Sequence, residues 1–209
     1  MNIIDSLQWR YATKKFDDAR QIPQDKLDII TQAFNLTATS YGLQPVRLLV
    51  VQDKKLQEEL VAQAMGQRQV VDASCVLVFC IEKNVKSPYV HEYFDNVKST
   101  RDTPEKTLAP FREMLADKFD SQTKEETRNW AINQAYLAMG NLMTVCALEG
   151  IDACPMEGFE PDGFDKMLEL DVLNISSILI MPIGYRAEDD MFSKFEKVRR
   201  SVEDTVIYR

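Results

Sequence analysis

A chain of 209 residues with 45% hydrophobic and 28% charged side chains is ordinary for a soluble globular protein. Its net charge of −8 argues against general nucleic-acid binding, which relies on a surplus of Lys and Arg to displace counterions from phosphates. The four cysteines (Cys75, Cys80, Cys146, Cys154) sit in apolar runs without a Cys-x-x-Cys spacing and the single histidine is His91, so no metal site is expected, whereas a reducing compartment with buried free thiols is.

The N-terminal run Met1-Asn2-Ile3-Ile4-Asp5-Ser6 has no basic region followed by an apolar core, so no signal peptide is expected and the cytoplasm is the default location. Ile3, Ile4 and Leu7 predict a short amphipathic helix that runs into Arg10-Tyr11-Ala12-Thr13-Lys14-Lys15-Phe16. A cluster of cations beside small side chains can hold a phosphate, Arg as a bidentate fork and Lys as a point charge; a solvated basic turn is the other reading. Pro23 opens a second helix through Leu27, Ile30, Ala33 and Phe34. The hydroxyl-rich stretch Leu36 to Pro45, with Thr39, Ser40 and Gly42, either brings donors to the polar edge of a ligand or is a plain helix-to-strand connection.

Val46 to Val51 is β-branched and aliphatic and predicts a strand, and Leu56 to Met65 predicts a helix ending near Gly66-Gln67-Arg68-Gln69. The amides of Gln67 and Gln69 could read an imide edge or face water. Ser74 to Ile81 is apolar without alternation, as in a strand covered on both faces. From about 84 to 122 a charged excursion holding Tyr89, Tyr93, Phe94, Phe111 and Phe119 predicts two helices packed outside the main core as a cover. A last strand is expected over Ile175 to Ile183, stopped by Pro182 and Gly184. The arm from about 185 to 209 carries Lys194, Lys197, Arg199 and Arg200 and ends in Val206-Ile207-Tyr208, a tip suited to docking on a surface such as that of another subunit.

Between excursion and last strand lies the stretch that organises the rest. Thr123 and Glu126 stand three apart as a capping box and Gly150 falls where a helix can turn out of its last turn, which defines a helix of roughly 26 residues, about 39 Å long. From Ala135 to Leu148 it is apolar on nearly every face, so it belongs inside the protein; its apolar part is too short for a membrane span and follows directly on Arg128 and Asn129. The chain leaves it through Ile151 to Pro155 and turns at Met156-Glu157-Gly158-Phe159, where Gly158 lets the backbone approach something flat. No repeat, linker or low-complexity segment divides residues 1–209, so one α+β domain with four or five strands is expected. There is no Gly-x-Gly-x-x-Gly turn, Walker loop or Gly-x-Ser-x-Gly elbow.

In their order along the chain, Arg10-Tyr11-Ala12-Thr13-Lys14, Thr39-Ser40 ahead of Gln44-Pro45, the central helix running into Pro155-Met156-Glu157-Gly158-Phe159, and Lys197-Val198-Arg199 resemble the FMN-dependent nitroreductase family, in its oxygen-insensitive NAD(P)H nitroreductase and dihydropteridine reductase branch. The resemblance implies a mostly antiparallel sheet flanked by helices, with the long helix buried at a homodimer interface and no membrane or nucleic-acid partner. It implies FMN at that interface, reduced by NADH or NADPH and reoxidised by nitroaromatics, quinones or related small acceptors in ping-pong order; an FMN-storing or regulatory protein without turnover is the alternative. By position, Arg10, Ala12, Lys197 and Arg199 would hold the phosphate, with Tyr11 in the same run and Lys14 near the ribityl chain and pyrimidine edge. Thr39, Ser40 and Gly42 would come from the partner. Gln67 and Gln69 would lie on the pyrimidine side, and Pro155, Met156, Glu157 and Gly158 would cross the ring. The resemblance assigns no residue as acid, base or nucleophile and no metal.

Overall fold

The computed structural model describes residues 2–209; Met1, the first residue of the stretch read above for a signal peptide, lies outside the described residues. Asn2 caps α1 (Ile3–Trp9) by accepting the Asp5 N–H at 3.0 Å. The second helix, α2 (Gln24–Asn35), starts directly behind Pro23, where a missing N–H costs nothing. The strand β1 (Val46–Val51) follows, then α3 (Lys54–Leu60), capped by the Asp53 carboxylate on the Leu56 N–H at 2.8 Å. The helix expected as far as Met65 ends early. It tightens into a 3₁₀ turn at Ala62–Ala64 and leaves through Met65 and Gly66, both at positive φ. Next come α4 (Gln69–Asp72), β2 (Cys75–Glu82) and the two helices of the excursion, α5 (Ser87–Arg101) and α6 (Glu105–Ser121).

The long helix α7 (Lys124–Leu148) has the expected start: Thr123 and Glu126 form a reciprocal capping box, and the chain turns out at Gly150 with φ +67°. β3 (Asp152–Ala153), α8 (Pro161–Met167), β4 (Ile175–Gly184) and α9 (Val202–Thr205) complete the order. The four strands form one antiparallel sheet in the order β1-β2-β4-β3, so the architecture is α+β. Pro182 does not stop the last strand, which runs through it to Gly184. Its carbonyl takes the Cys154 N–H at 2.9 Å, so the short neighbouring segment asks for the acceptor proline keeps.

Alternation along β2 divides the core. Cys75, Leu77, Phe79 and Ile81 face one layer with α2 and α7; Val76, Val78 and Cys80 face the other, packed with Leu60, Phe159 and Phe164. The excursion has a cluster of its own around Val90, Phe94, Leu115 and Phe119, which reaches Leu43 on the loop after α2. All four cysteines are buried free thiols. Burial pushes Cys75, Cys80 and Cys146 up to about 12.

The long helix is not covered all round by its own chain. Ala131, Ala135, Ala138, Leu142 and Cys146 are buried, while Leu137 is 52% exposed and Tyr136 and Leu148 are exposed beside it. The apolar side of α1, which packs near α7, is likewise open, with Ile4 58% exposed. Among the described residues no helix is long and apolar enough to cross a membrane, and no group of His, Cys, Asp or Glu could hold a metal ion.

Candidate functional site

After α1 ends at Arg10, the backbone turns extended and lies alongside β3: Ala12 bridges Ala153 in parallel, and the Thr13 N–H reaches the Ala153 carbonyl at 3.3 Å. The returning chain after β4 lies across this segment, with Phe16 bridging Arg186 and the Ala187 N–H donating to the Lys15 carbonyl at 3.0 Å. Between them opens a cleft of about 930 Å³ whose walls include Arg10, Tyr11, Ala12, Lys14, Lys197 and Arg199. Six residues expected to share a site, from opposite ends of the sequence, therefore do share one cleft.

Its charge is unbalanced. The Lys197 ammonium donates to the Arg10 carbonyl, and among the described residues no carboxylate pairs with Arg10, Lys197 or Arg199. Burial, then the charge of Arg199, lowers Arg10; burial, then Arg10, Arg199 and Arg186, lowers Lys197. These cations are partly desolvated against one another, an arrangement that an arriving anion relieves.

Two buried carboxylates that the sequence did not single out hold the cleft in shape. Asp152 binds Arg186, accepting from Nε at 2.8 Å and from its backbone N–H at 2.9 Å, and the guanidinium stacks over Trp9 and Tyr11 at 4.2 and 4.6 Å. Asp190, 2% exposed, accepts from the Tyr11 hydroxyl at 2.8 Å and from the N–H groups of Lys14, Lys15 and Phe192 at 2.9, 3.1 and 3.0 Å. Burial pushes the Asp190 carboxyl up, but the four donors outweigh it and hold the group below its ordinary range. The Tyr11 hydroxyl is raised, first by burial and then by its bond to Asp190. The only sequence signal for Asp190 is an acidic run of three residues, Glu188-Asp189-Asp190, in a polar arm, and its partners lie up to 179 residues away.

β3 leads on to the turn Pro155–Gly158, which does not line this cleft itself. Lys14 Nζ lies 4.0 Å from Cys154 Sγ, one residue before the turn Pro155–Gly158. Met156 is buried and exchanges hydrogen bonds with Ile180 at 2.9 and 3.1 Å, which fixes the base of the turn. Gln67 Nε2 donates to the Gly158 carbonyl at 2.8 Å, and the Tyr136 hydroxyl donates to the exposed Glu157 carboxylate at 2.8 Å. A Cβ at Gly158 would lie 3.3 Å from the Gln67 amide, a contact tighter than most. Gln69 opens α4 and is buried. The N–H groups of Glu157 and Gly158 have no partner among the described residues, so a turn anchored on three sides presents two free donors.

Thr39, Ser40 and Gly42 are not part of this cleft in their own chain. Thr39 Oγ1 accepts the Gln44 N–H at 3.0 Å, and the Ser40 N–H donates to Gln134 on α7 at 2.9 Å. Thr39 instead borders a separate polar cleft of about 690 Å³ beside α5. Gly42 has φ +74°, and a Cβ there would stand 2.4 Å from the Tyr93 hydroxyl, so backbone and space both favour glycine while Tyr93 keeps its place.

The sequence matches the model of the Nitroreductase family over residues 7–185. A "Putative NAD(P)H nitroreductase" of Staphylococcus aureus is 33% identical over 213 residues, covering 98% of this chain and 94% of that one. Another of the same description from Staphylococcus epidermidis is 33% identical over 212 residues, covering 98% and 95%. Among solved structures, a nitroreductase-like protein of Streptococcus mutans superposes with a TM-score of 0.85 at 23% identity, over 99% of this chain and 97% of that one. An Exiguobacterium sibiricum protein described as a "putative nitroreductase in complex with FMN" gives 0.85 at 17% identity, over 100% and 98%. At these identities the two structures speak for the fold.

Proposed function

The chain belongs to the nitroreductase family, and on that premise we propose that it is an FMN-dependent oxidoreductase that works as a homodimer with NADH or NADPH as donor. One observation carries the reading: Arg10, Lys197 and Arg199 meet in a single cleft with no carboxylate partner among the described residues, on a chain of net charge −8. A dianionic phosphate is the chemistry that such a cluster accepts. When bound, FMN would supply the redox chemistry that links the nicotinamide donor to a nitroaromatic, quinone or related small acceptor.

The chain's own residues bind, orient and tune. Arg10, Lys197 and Arg199 hold the phosphate, with Tyr11 and Ala12 lining its approach. Lys14 sets a cation on the pyrimidine side, where reduction concentrates negative charge, and so favours the reduced form. Gln67 and Gln69 would serve the same edge of a bound FMN, and Pro155 to Gly158 would border its ring, with the free N–H groups of Glu157 and Gly158 as donors. Thr39, Ser40 and Gly42 complete the partner's site. The homodimer is supported by the apolar surface one chain leaves open on α1 and α7 and at Ile207 and Tyr208 in the arm.

The test is steady-state oxidation of NADH or NADPH by the FMN-reconstituted protein with menadione or nitrofurazone. Sustained turnover is expected. Tightly held flavin without turnover would instead make the protein a flavin store or regulator, and a protein that retains no FMN would end the reading altogether.

A further inference from the structure

We propose that Asp190 is the positioning residue that assembles the phosphate end of this site, by fastening the N-terminal segment and the C-terminal arm to one buried carboxylate. The inference rests on the FMN reading above and adds a residue that touches no ligand. Three cations brought into one cleft repel each other, and something must hold their backbones together before an anion arrives. The arm that carries Lys197 and Arg199 is exposed along most of its length and has few other ties to the body of the protein. Asp190 lies at its root. Oδ2 accepts from the Tyr11 hydroxyl and the Lys14 and Lys15 N–H groups, and Oδ1 accepts from the Phe192 N–H in the first turn of the arm. Asp190 belongs to the arm, so Oδ2 ties the arm's root to the Tyr11–Lys15 run, while Oδ1 caps the arm's own first turn at Met191–Lys194.

That division makes an amide a poor substitute. In Asp190→Asn, whichever way the side chain is flipped, an NH₂ faces a backbone N–H: either the first turn of the arm loses its cap or the N-terminal segment loses its anchor. The cations would still be present, but they would no longer converge.

The experiment compares FMN with riboflavin, which lacks the phosphate, by fluorescence titration of the apoprotein. For Asp190→Asn, FMN affinity should fall at least tenfold and riboflavin affinity by less than twofold, whereas a general loosening of the fold would weaken both alike. Asp189→Asn, an exposed neighbour paired with Lys15, should change neither by more than twofold. The Asp190→Asn and Arg199→Ala effects should also be strongly non-additive, the double variant being no more than about threefold weaker for FMN than Arg199→Ala alone. Should Asp190→Asn fail to fold, Tyr11→Phe removes one of the four donors and keeps the charge. It should show the same selective loss of FMN at two- to fivefold. Equal weakening of both flavins, or full additivity, would overturn the proposal for Asp190. If Arg10→Ala and Arg199→Ala themselves failed to reduce the preference for FMN over riboflavin, the FMN reading would fall first.

Discussion

Removing Arg10 should move the apoprotein and the flavin-loaded protein in opposite directions. Its guanidinium is partly desolvated and stands against Arg199 and Lys197 with no carboxylate among the described residues to offset it, so Arg10→Ala relieves repulsion when no anion is present. With FMN present it removes a charge-assisted contact worth about 1.5–3 kcal/mol, or roughly ten- to a hundredfold in affinity. At FMN a hundredfold above the wild-type Kd, ligand binding stabilises the fold by about 2.7 kcal/mol; a variant that binds about thirtyfold more weakly keeps about 0.9 kcal/mol. The difference of about 1.8 kcal/mol corresponds to a Tm lower by about 4–7 °C in a chain of this size. Differential scanning fluorimetry with and without FMN measures both quantities. Arg10→Ala and Arg199→Ala should lose this increment while the apo Tm stays level or rises, and Arg101→Ala, exposed at the end of α5, should match the wild type in both. An equal loss from all three variants, or an apo Tm for Arg10→Ala that drops as far as the loaded one, would refute the assignment of this cluster to a phosphate.

Light scattering at micromolar concentration should give about twice the 24.0 kDa of one chain, and Leu137→Asp, on the open side of α7, should shift the mass toward the monomer; a wild-type mass of one chain would remove the homodimer. Turnover should be ping-pong, with parallel double-reciprocal lines at several fixed acceptor concentrations, because in the proposed dimer the turn Pro155–Gly158 and Thr39–Ser40 of the second chain would leave one face for donor and acceptor in turn; lines converging left of the axis would mean that both bind together. The Tyr11 hydroxyl is held above its ordinary range by burial and by Asp190, so the stability it contributes is full below the unfolded value of about 10 and is lost as pH rises through that value toward the folded one. Tyr11→Phe should flatten the alkaline side of a Tm-against-pH curve; an unchanged slope would show that the hydroxyl does not couple to folding.

How far the sequence revealed this follows from the range of the interactions involved. α7 was legible from end to end because its signals are local: a capping box three residues apart, an apolar run and a glycine at the exit. Three of the four strands were legible from apolar and β-branched runs, except that Pro182 was taken as a stop when its neighbour needs only a carbonyl; β3, two residues long, offers no run to read. Arg10-Tyr11-Ala12-Thr13-Lys14 and Lys197-Val198-Arg199 could each be seen as basic segments, but read by themselves they fit a solvated turn as well as a phosphate site. What distinguishes the two is that they face each other, a property of the tertiary fold. Asp190 lay beyond reach for the same reason, since a carboxylate that binds backbone N–H groups leaves no mark on the identity of its partners. The open side of α7 agrees with the expectation that this helix lies at an interface, although apolar composition alone does not say which of its faces its own chain covers.

The contact between Gly42 and Tyr93 has a consequence for how such proteins diverge. One residue sits on the loop after α2 and the other on α5, and the hydroxyl of the second fills the space a side chain on the first would need. Position 42 is not free to change while Tyr93 keeps its place. A descendant that placed Asn at 42, among the side chains that best tolerate positive φ, would first have to shorten or redirect the residue at 93. The two sites are therefore expected to change as a pair across relatives, so that the reshaping of the excursion is recorded fifty residues earlier, in a loop assigned here to the partner's site.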